Sequence, residues 1–393
     1  MVSDAPGRRM LSGRRLLWIV AEDWFFRLHY LPLAVAQREA GAEIHLAARC
    51  GRRGAEAEAA ITASGVTVHR LARLDRTALD PFADWAAVRE LTALCRLLAP
   101  DLVVSVALKP VLYGTLAAAR AGVPVRLAWL PGLGHVFTGT SPKARLLRPG
   151  VSWLMRAVLG PAEVTPMVLN ADDRAAVARL AGRPLADVEV LPGTGVDLDR
   201  FTPSPEPEGP PVAAFVGRML GEKGLEELAA AARLLRDGGS PVRIRLVGAP
   251  DPESPTAIPE DRLRAWNASG VLDWTGATDD VAGVWRQSHI AVLPSHREGL
   301  GMSILEAAAC GRPAVASDVP GCREAVQHGV TGLLVPWRDP PALAAALARL
   351  AGDGDRRRAM GSVARTRVEA RFGLPAVSAA VVALCAGRLG SLS

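Results

Sequence analysis

Short runs of β-branched and apolar residues alternate with longer Ala-, Leu- and Arg-rich stretches along nearly the whole chain, and this alternation restricts the folds open to it more than any other feature. The runs at 16–20, 43–47, 66–69, 102–106 and 125–129 have the length and composition of buried strands. The stretches at 31–40, 53–64, 84–98 and 111–121 between them read as helices. A helix between two strands carries the chain back to where it began, so the strands pair in parallel and a doubly wound α/β sheet is predicted. Residues 201–211 then hold five prolines, which neither a helix nor a central strand accommodates, and they read as a linker. A second series follows, with strands at 212–216, 243–247, 271–274, 290–294 and 313–317.

The 393 residues suit two domains. The expected organisation is a flexible extension over 1–14, a first Rossmann-like domain over 15–200, the linker over 201–211, a second Rossmann-like domain over 212–371, and a C-terminal helix over 372–393 packing back on the first domain. Ligands of open α/β sheets bind beyond the carboxyl ends of the strands, so the expected site is a central cleft which the two domains face.

Composition narrows the classes of function. With 49% hydrophobic and 22% charged residues the chain has enough apolar material for sizeable cores. No apolar run approaches the roughly 18 to 20 residues that a spanning helix needs. Arg8, Arg9, Arg14 and Arg15 precede an apolar stretch of only six residues, which runs into Glu22 and Asp23 and is too short for a signal peptide. A cytoplasmic protein is the expectation. Five scattered cysteines with no Cys-x-x-Cys pair indicate neither a disulfide framework nor a zinc site, and no metal is expected.

Charge is unevenly divided. Residues 1–200 carry 25 Lys plus Arg against 19 Asp plus Glu, whereas 201–393 carry 21 against 21. The net charge of +6 therefore lies in the first half, which points to an anionic partner there, a phosphate-bearing substrate or an acidic membrane surface. No Lys/Arg cluster interleaved with aromatics accompanies it, so nucleic acid is not an expected partner. Only three of the 46 basic residues are lysines, Lys109, Lys143 and Lys223, which singles each of them out.

The second series opens with a strand, then Gly217-Arg218-Met219-Leu220-Gly221-Glu222-Lys223-Gly224, then a helix. Glycines admit close backbone approach, and Arg218 and Lys223 place two positive charges by a helix N-terminus, as a diphosphate requires. The spacing alone fits a basic loop with two surface charges as well. Farther on, Glu298-Gly299-Leu300-Gly301-Met302 leads from a strand into a helix that contains Glu306 and stops at Gly311. Glu298 and Glu306 stand eight positions apart, roughly 12 Å at about 1.5 Å per residue, so they can serve two ends of one nucleotide sugar. The amides of Gly299 to Met302 are expected to face an anion. A turn with one capping and one solvated glutamate is the alternative.

Together the two motifs resemble the C-terminal domain of retaining family 4 glycosyltransferases of the GT-B fold, through a Gly-Arg…Lys-Gly element and a Glu-(seven residues)-Glu signature. The resemblance continues through Cys310-Gly311-Arg312-Pro313, Asp318-Val319-Pro320-Gly321 and Gly329-Val330-Thr331-Gly332, covering nearly all of 212–340. It implies that Arg218 and Lys223 bind the diphosphate of a nucleotide-sugar donor beside Gly217, that Glu298 binds sugar hydroxyls and Glu306 the ribose, and that Gly299, Leu300, Gly301 and Met302 steady the sugar and leaving group. Departure of the nucleoside diphosphate is then assisted by side-chain cations, with no cofactor and no metal. Asp197-x-Asp199 is not a metal motif in this fold and is read as shaping the loop before the linker. The resemblance is looser in the first half. The family's histidine after the fifth strand is absent at its usual place, and His135 stands a few residues later as the candidate catalytic assistant or an ordinary loop residue.

Lys109-Pro110…Tyr113-Gly114 and Gly132-Leu133-Gly134 resemble the subgroup that builds capsule, exopolysaccharide or O-antigen units on polyprenyl diphosphate. Lys109 is then either a ligand for acceptor phosphate or a salt-bridged lysine at the core's edge. Glu22, Asp23, Arg27 and His29 replace the Gly-Gly turn of many relatives; they are read as acceptor-side variation, with Glu22 and His29 as the candidate residues, or as a structural helix start. The implied function is transfer of a hexose or N-acetylhexosamine from a nucleotide diphosphate sugar, UDP being the expected nucleotide, to a lipid-linked saccharide acceptor at the inner membrane face. Transfer to a soluble acceptor, a nucleotide-sugar epimerase and a non-catalytic sugar-nucleotide-binding regulator are the alternatives. The segment 141–160 mixes Lys143, Arg145, Arg148 and Arg156 with Leu146, Trp153 and other apolar residues, and is read either as peripheral contact with an anionic membrane or as packing on its own sheet. A dinucleotide oxidoreductase is not expected, because Gly132-x-Gly134 lacks a third glycine.

Overall fold

The structure is a computed structural model and describes residues 10–51, 54–74, 80–132, 142–252, 254 and 256–391. Strands β1 (Arg15–Glu22), β2 (Glu43–Arg49), β3 (Thr67–Arg70), β4 (Leu102–Val106), β5 (Val125–Trp129), β6 (Val164–Val168) and β7 (Glu189–Val190) form one sheet, ordered β3-β2-β1-β4-β5-β6-β7. Every pairing in it is parallel, with Leu16 opposite Leu102 and Leu102 opposite Val125. The chain order reverses at β1/β4, and that is the edge where a doubly wound sheet binds ligands.

Period-two alternation along β1 feeds both faces of this sheet. Leu17 and Ile19 join Val88, Leu91 and Val103 in one cluster, against the helix Pro81–Leu98. Trp18 turns the other way, toward Phe26, Tyr30 and Trp129 with ring centroids 5.6, 5.7 and 6.3 Å distant. Its indole N–H donates to Gln37 Oε1 at 2.9 Å, and Gln37 Nε2 donates to Cys385 Sγ at 3.2 Å. That relay fastens the C-terminal helix Leu374–Gly390 to the helix Leu31–Glu39.

The chain divides into two compact units, one from Gly195 to Gly373 and the other formed by the residues up to Thr194 together with those from Leu374. The second unit holds β8 (Val212–Val216), β9 (Arg243–Val247), β10 (Asp273–Trp274), β11 (Ile290–Leu293), β12 (Ala314–Ser317) and β13 (Gly332–Val335), ordered β10-β9-β8-β11-β12-β13 and again all parallel. Its reversal lies at β8/β11. The chain is thus α/β with two Rossmann-like parallel sheets.

Three of these strands escape the periodicity reading. β6 carries Pro166 in its middle, a residue that argues against a strand within a sheet, and β7 is two residues long. β13 is the short edge strand of its sheet. The Pro-rich stretch read as a linker lies within the second unit and is fastened there. Buried Arg312 donates to Ser204 O, Ser204 Oγ and Pro205 O at 2.8–2.9 Å, and Arg357 makes a bidentate pair with Glu206 at 2.7 and 2.8 Å. The prolines remove donors, and the arginines supply them from outside.

Candidate functional site

The turn after β8 and the turn after β11 are 75 positions apart in sequence and meet at the β8/β11 reversal. β8 ends where the Gly217 N–H donates to Val247 O. A single 3₁₀ turn, Gly221–Lys223, then leads into the helix Leu225–Asp237 through Gly224, whose φ is +72°. A Cβ on Gly224 would stand 2.0 Å from Pro294 O, so only glycine lets this turn press against the end of β11. The His296 N–H closes the junction by donating to Glu222 O at 2.9 Å.

At that junction Lys223 Nζ lies 2.5 Å from Glu298 Oε1, with the two side chains only 21% and 11% exposed. The same oxygen accepts from Ser295 Oγ at 2.7 Å. The main chain is fixed as well, since the Gly321 N–H donates to Glu298 O at 3.1 Å and a Cβ on Gly321 would come within 2.5 Å of that oxygen. One oxygen of this carboxylate thus holds a largely buried cation in place. Arg218, at the other end of the turn, pairs through Nη1 with Asp251 Oδ2 at 2.8 Å and is 58% exposed. His296 Nε2 lies 2.9 Å from Glu227 Oε1.

The helix that follows Glu298 spans Met302–Ala309, close to its predicted start and stop. Its amides depart from expectation at one point. The Met302 N–H donates to Leu300 O at 2.9 Å and does not face an anion, so the amides of Leu300 and Gly301 are the ones here without a partner among the described residues. The extra residue before the first helical turn folds back on itself and consumes that donor. Glu306 is partly buried, and burial pushes its carboxyl up to about 7 against the opposing pull of Arg200 and the Trp285 indole. Asp197 Oδ1 accepts from the Asp199 and Arg200 amides at 3.0 Å each, which makes the Asp-x-Asp pair a turn-forming element.

In the first unit, Lys109 follows β4 directly and lies 3.2 Å from Asp84 Oδ1, with side-chain exposures of 12% and 19%, and its ammonium stands 5.9 Å from the Tyr113 ring centroid. Ala107 just before it has φ +73° and ψ 165°, a conformation that L residues rarely adopt. Glu22 ends β1, and His29 ends the helix Asp23–His29 with its ring 4.8 Å from that of Phe25. His135 lies outside the described residues. Ser295, Asp251 and Gly321 were not singled out in the sequence; the signals available were a serine three residues before Glu298, an aspartate between two prolines after a strand, and a glycine after a helix-starting proline.

Two family models match the chain, one for a glycosyl transferase 4-like domain over residues 28–194 and one for glycosyl transferases group 1 over 210–353. The N,N'-diacetylbacillosaminyl-diphospho-undecaprenol alpha-1,3-N-acetylgalactosaminyltransferase of Campylobacter jejuni is 30% identical over 271 residues, 66% of this chain and 69% of that one. The chain belongs to the group 1, family 4-like glycosyltransferases. Another relative of this glycosyltransferase is the D-inositol 3-phosphate glycosyltransferase of Geodermatophilus obscurus, 38% identical over 47% of this chain and 45% of that one, so the match spans about half its length. Among solved structures, sucrose-phosphate synthase from Thermosynechococcus elongatus superposes with TM-score 0.76 at 22% identity, over 97% of this chain and 100% of that one. HepE from Anabaena in complex with UDP and glucose gives 0.75 at 17% identity over 95% and 100%. At these identities the likeness establishes the GT-B fold alone. Among the described residues no helix is long and apolar enough to cross a membrane.

Proposed function

We propose that this glycosyltransferase is a retaining, metal-independent enzyme that moves a hexose or N-acetylhexosamine from a nucleotide diphosphate sugar, with UDP as the nucleotide, to a polyprenyl-diphosphate-linked saccharide. The observation that carries the donor half of this reading is the Lys223–Glu298 pair at the β8/β11 reversal. A cation beside a carboxylate matches two adjacent parts of one donor, the β-phosphate and the sugar hydroxyls, and locks both residues before the ligand arrives. The bond that breaks joins the anomeric carbon to the β-phosphate oxygen, the departing diphosphate taking the electron pair; the acceptor hydroxyl oxygen forms the new bond to that carbon, and its proton leaves with the diphosphate. Lys223 and Arg218 offset that charge, Gly217 lets the backbone approach, and the Leu300 and Gly301 amides supply neutral donors beside Gly299 and Met302. Glu306 takes the ribose hydroxyls. No cofactor is assigned, the nucleotide sugar being a substrate.

The acceptor half rests on the Campylobacter relative, whose name specifies a lipid-diphosphate-linked sugar, and on the basic first half of the chain. Glu22, His29 and Lys109 are its candidate residues, Lys109 exchanging Asp84 for acceptor phosphate, and His135 is the candidate catalytic assistant. A soluble phosphorylated acceptor is the second reading, favoured by the D-inositol 3-phosphate relatives. A peripheral contact with the inner face of an anionic membrane is proposed through the helix Pro142–Leu159. Its Met155, Val158 and Leu159 join the core, while Leu146 and Trp153 stand 82% and 71% exposed beside Arg145. The test is release of UDP from UDP-sugars with each acceptor class. Release that requires a polyprenyl-diphosphate saccharide supports the reading, release with a soluble phosphorylated acceptor transfers it to the second, and binding without turnover or epimerisation without acceptor overturns both.

A further inference from the structure

Arg218 poses a problem that Lys223 does not. Lys223 is largely buried and pinned by Glu298, whereas Arg218 is 58% exposed on a long side chain whose rotamers must be frozen before it can meet a phosphate in one geometry. Its ion-pair partner is Asp251, itself only 18% exposed, 2.8 Å away. Asp251 stands between Pro250 and Pro252. The following proline disfavours helical backbone at Asp251, and the preceding one has its own φ fixed by its ring, so the carboxylate projects from a stiff stem.

The loop that carries Asp251 is also fastened, on both sides of that residue, to the turn that carries Arg218. The Met219 N–H donates to Ala249 O at 3.0 Å, the Gly221 N–H to Thr256 O at 2.7 Å, and the Ile258 N–H to Met219 O at 2.9 Å. Leu220 and Ala257 form an antiparallel bridge, and Thr256 Oγ1 donates to Glu222 Oε2 at 2.8 Å. Asp251 is therefore held at a fixed distance from the backbone of Arg218. A guanidinium has five donors, so the Nη1 contact leaves others to face a ligand.

We propose that Asp251 is a positioning residue for Arg218, and that through it the loop after β9 sets how strongly the site prefers a nucleoside diphosphate to a monophosphate. The inference rests on the reading of Arg218 as a diphosphate ligand. The opposing possibility has a definite sign: a carboxylate that merely competed with phosphate for the arginine would weaken diphosphate binding, and its removal would strengthen it.

Calorimetric titration of UDP and UMP into the full chain decides between them. Wild type is expected to favour UDP. Asp251→Asn keeps the shape and loses the charge, and should lower that preference about tenfold, as one charge-assisted bond would, with UMP affinity nearly unchanged. Asp251→Glu should recover part of the loss. In an Arg218→Ala background, Asp251→Asn should change nothing further, since the two act as one unit. Unchanged or tighter UDP binding by Asp251→Asn overturns the inference, as does an equal loss in the Arg218→Ala background. A loss of UMP affinity together with a lower melting temperature does the same, because it assigns Asp251 to the loop's fold. If Arg218→Ala lowers the preference and Asp251→Asn does not, only this inference falls. If wild type shows no preference for UDP, or Arg218→Ala leaves the preference intact, the diphosphate reading falls with it.

Discussion

Beyond β11, Glu298 is held by a lysine from another strand's turn and a serine from its own, whereas beyond β4, Lys109 pairs with Asp84 of a neighbouring helix. Both positions lie at the point where strand order reverses in their sheet. They differ in how many roles each residue carries. In the second unit a single oxygen of Glu298 serves Lys223 and Ser295, and glycines at 224 and 321 bring the backbones so close that no side chain fits. In the first unit Lys109 pairs with Asp84 and its ammonium stands 5.9 Å from the Tyr113 ring centroid.

Breaking the interlocked side should have the largest effect. Lys223→Ala removes the cation and leaves Glu298 without its ion-pair partner, so turnover should fall more than a hundredfold, since one lost donor to a developing charge costs about 3 kcal/mol. Arg218→Ala should fall by a similar factor with less harm to stability, because Arg218 is exposed. Initial rates with a saturating acceptor check both, and near wild-type rates in Lys223→Ala would remove the ground for placing the diphosphate there. The comparison also predicts that Lys109→Gln spares UDP binding and harms only transfer. An equal loss of UDP affinity in Lys109→Gln would erase the distinction between the two sides.

A smaller effect should come from Glu306. Its carboxyl is raised from an ordinary 4.5 to about 7, chiefly by burial. The folded chain then holds a proton that the unfolded chain releases, so this group's contribution to stability is full below about 4.5 and is lost as pH rises through 7. Ribose hydroxyls are donors to the ionised form. UDP should therefore bind up to about tenfold more weakly at pH 6 than at pH 8, following the fraction ionised. Glu306→Gln should flatten the profile apart from the titration of UDP itself, and an identical profile in that variant would sink the ribose role.

How much of this was legible in the sequence follows from range. β4, β5, β8 and β9 were readable to the residue, because each is a short apolar run bounded by turn residues. The helix after Glu298 was readable from its glycines. β6 was not, since Pro166 sits where a strand interior should be. Lys223 and Glu298 stood out as residue types in motifs, yet their contact depends on Gly224 admitting Pro294 O, a fact about two backbones distant in sequence. Asp251 carries no sequence signal beyond its two prolines, and its pairing with Arg218 exists only once the loop is fastened. The bond from the Met302 amide to Leu300 O likewise leaves no trace in spacing.

The smallest expected effect concerns the helix Pro142–Leu159, and here the structure sharpens which residues to change. Arg156 is basic, but its guanidinium lies against Gly182, where a Cβ would come within 2.6 Å of Cζ, at the C-terminal cap of the helix Ala171–Ala181. Replacing it would disturb that cap and confuse the result. Arg145 and Trp153 are exposed, and Trp153 shares a helical face with Leu146 seven positions earlier. Each basic residue near an anionic surface contributes about 1 kcal/mol, so Arg145→Gln should weaken binding to vesicles with acidic lipid about fivefold at low salt. The difference should shrink at high salt as the charges are screened. Trp153→Ala should weaken binding through lost interfacial burial, with little salt dependence, and UDP affinity should be untouched in both. Vesicle sedimentation at two salt concentrations reads all of this. If both variants sediment as wild type does, the exposed face of this helix has no membrane role, and the basic excess of the first half must serve the acceptor's phosphates instead.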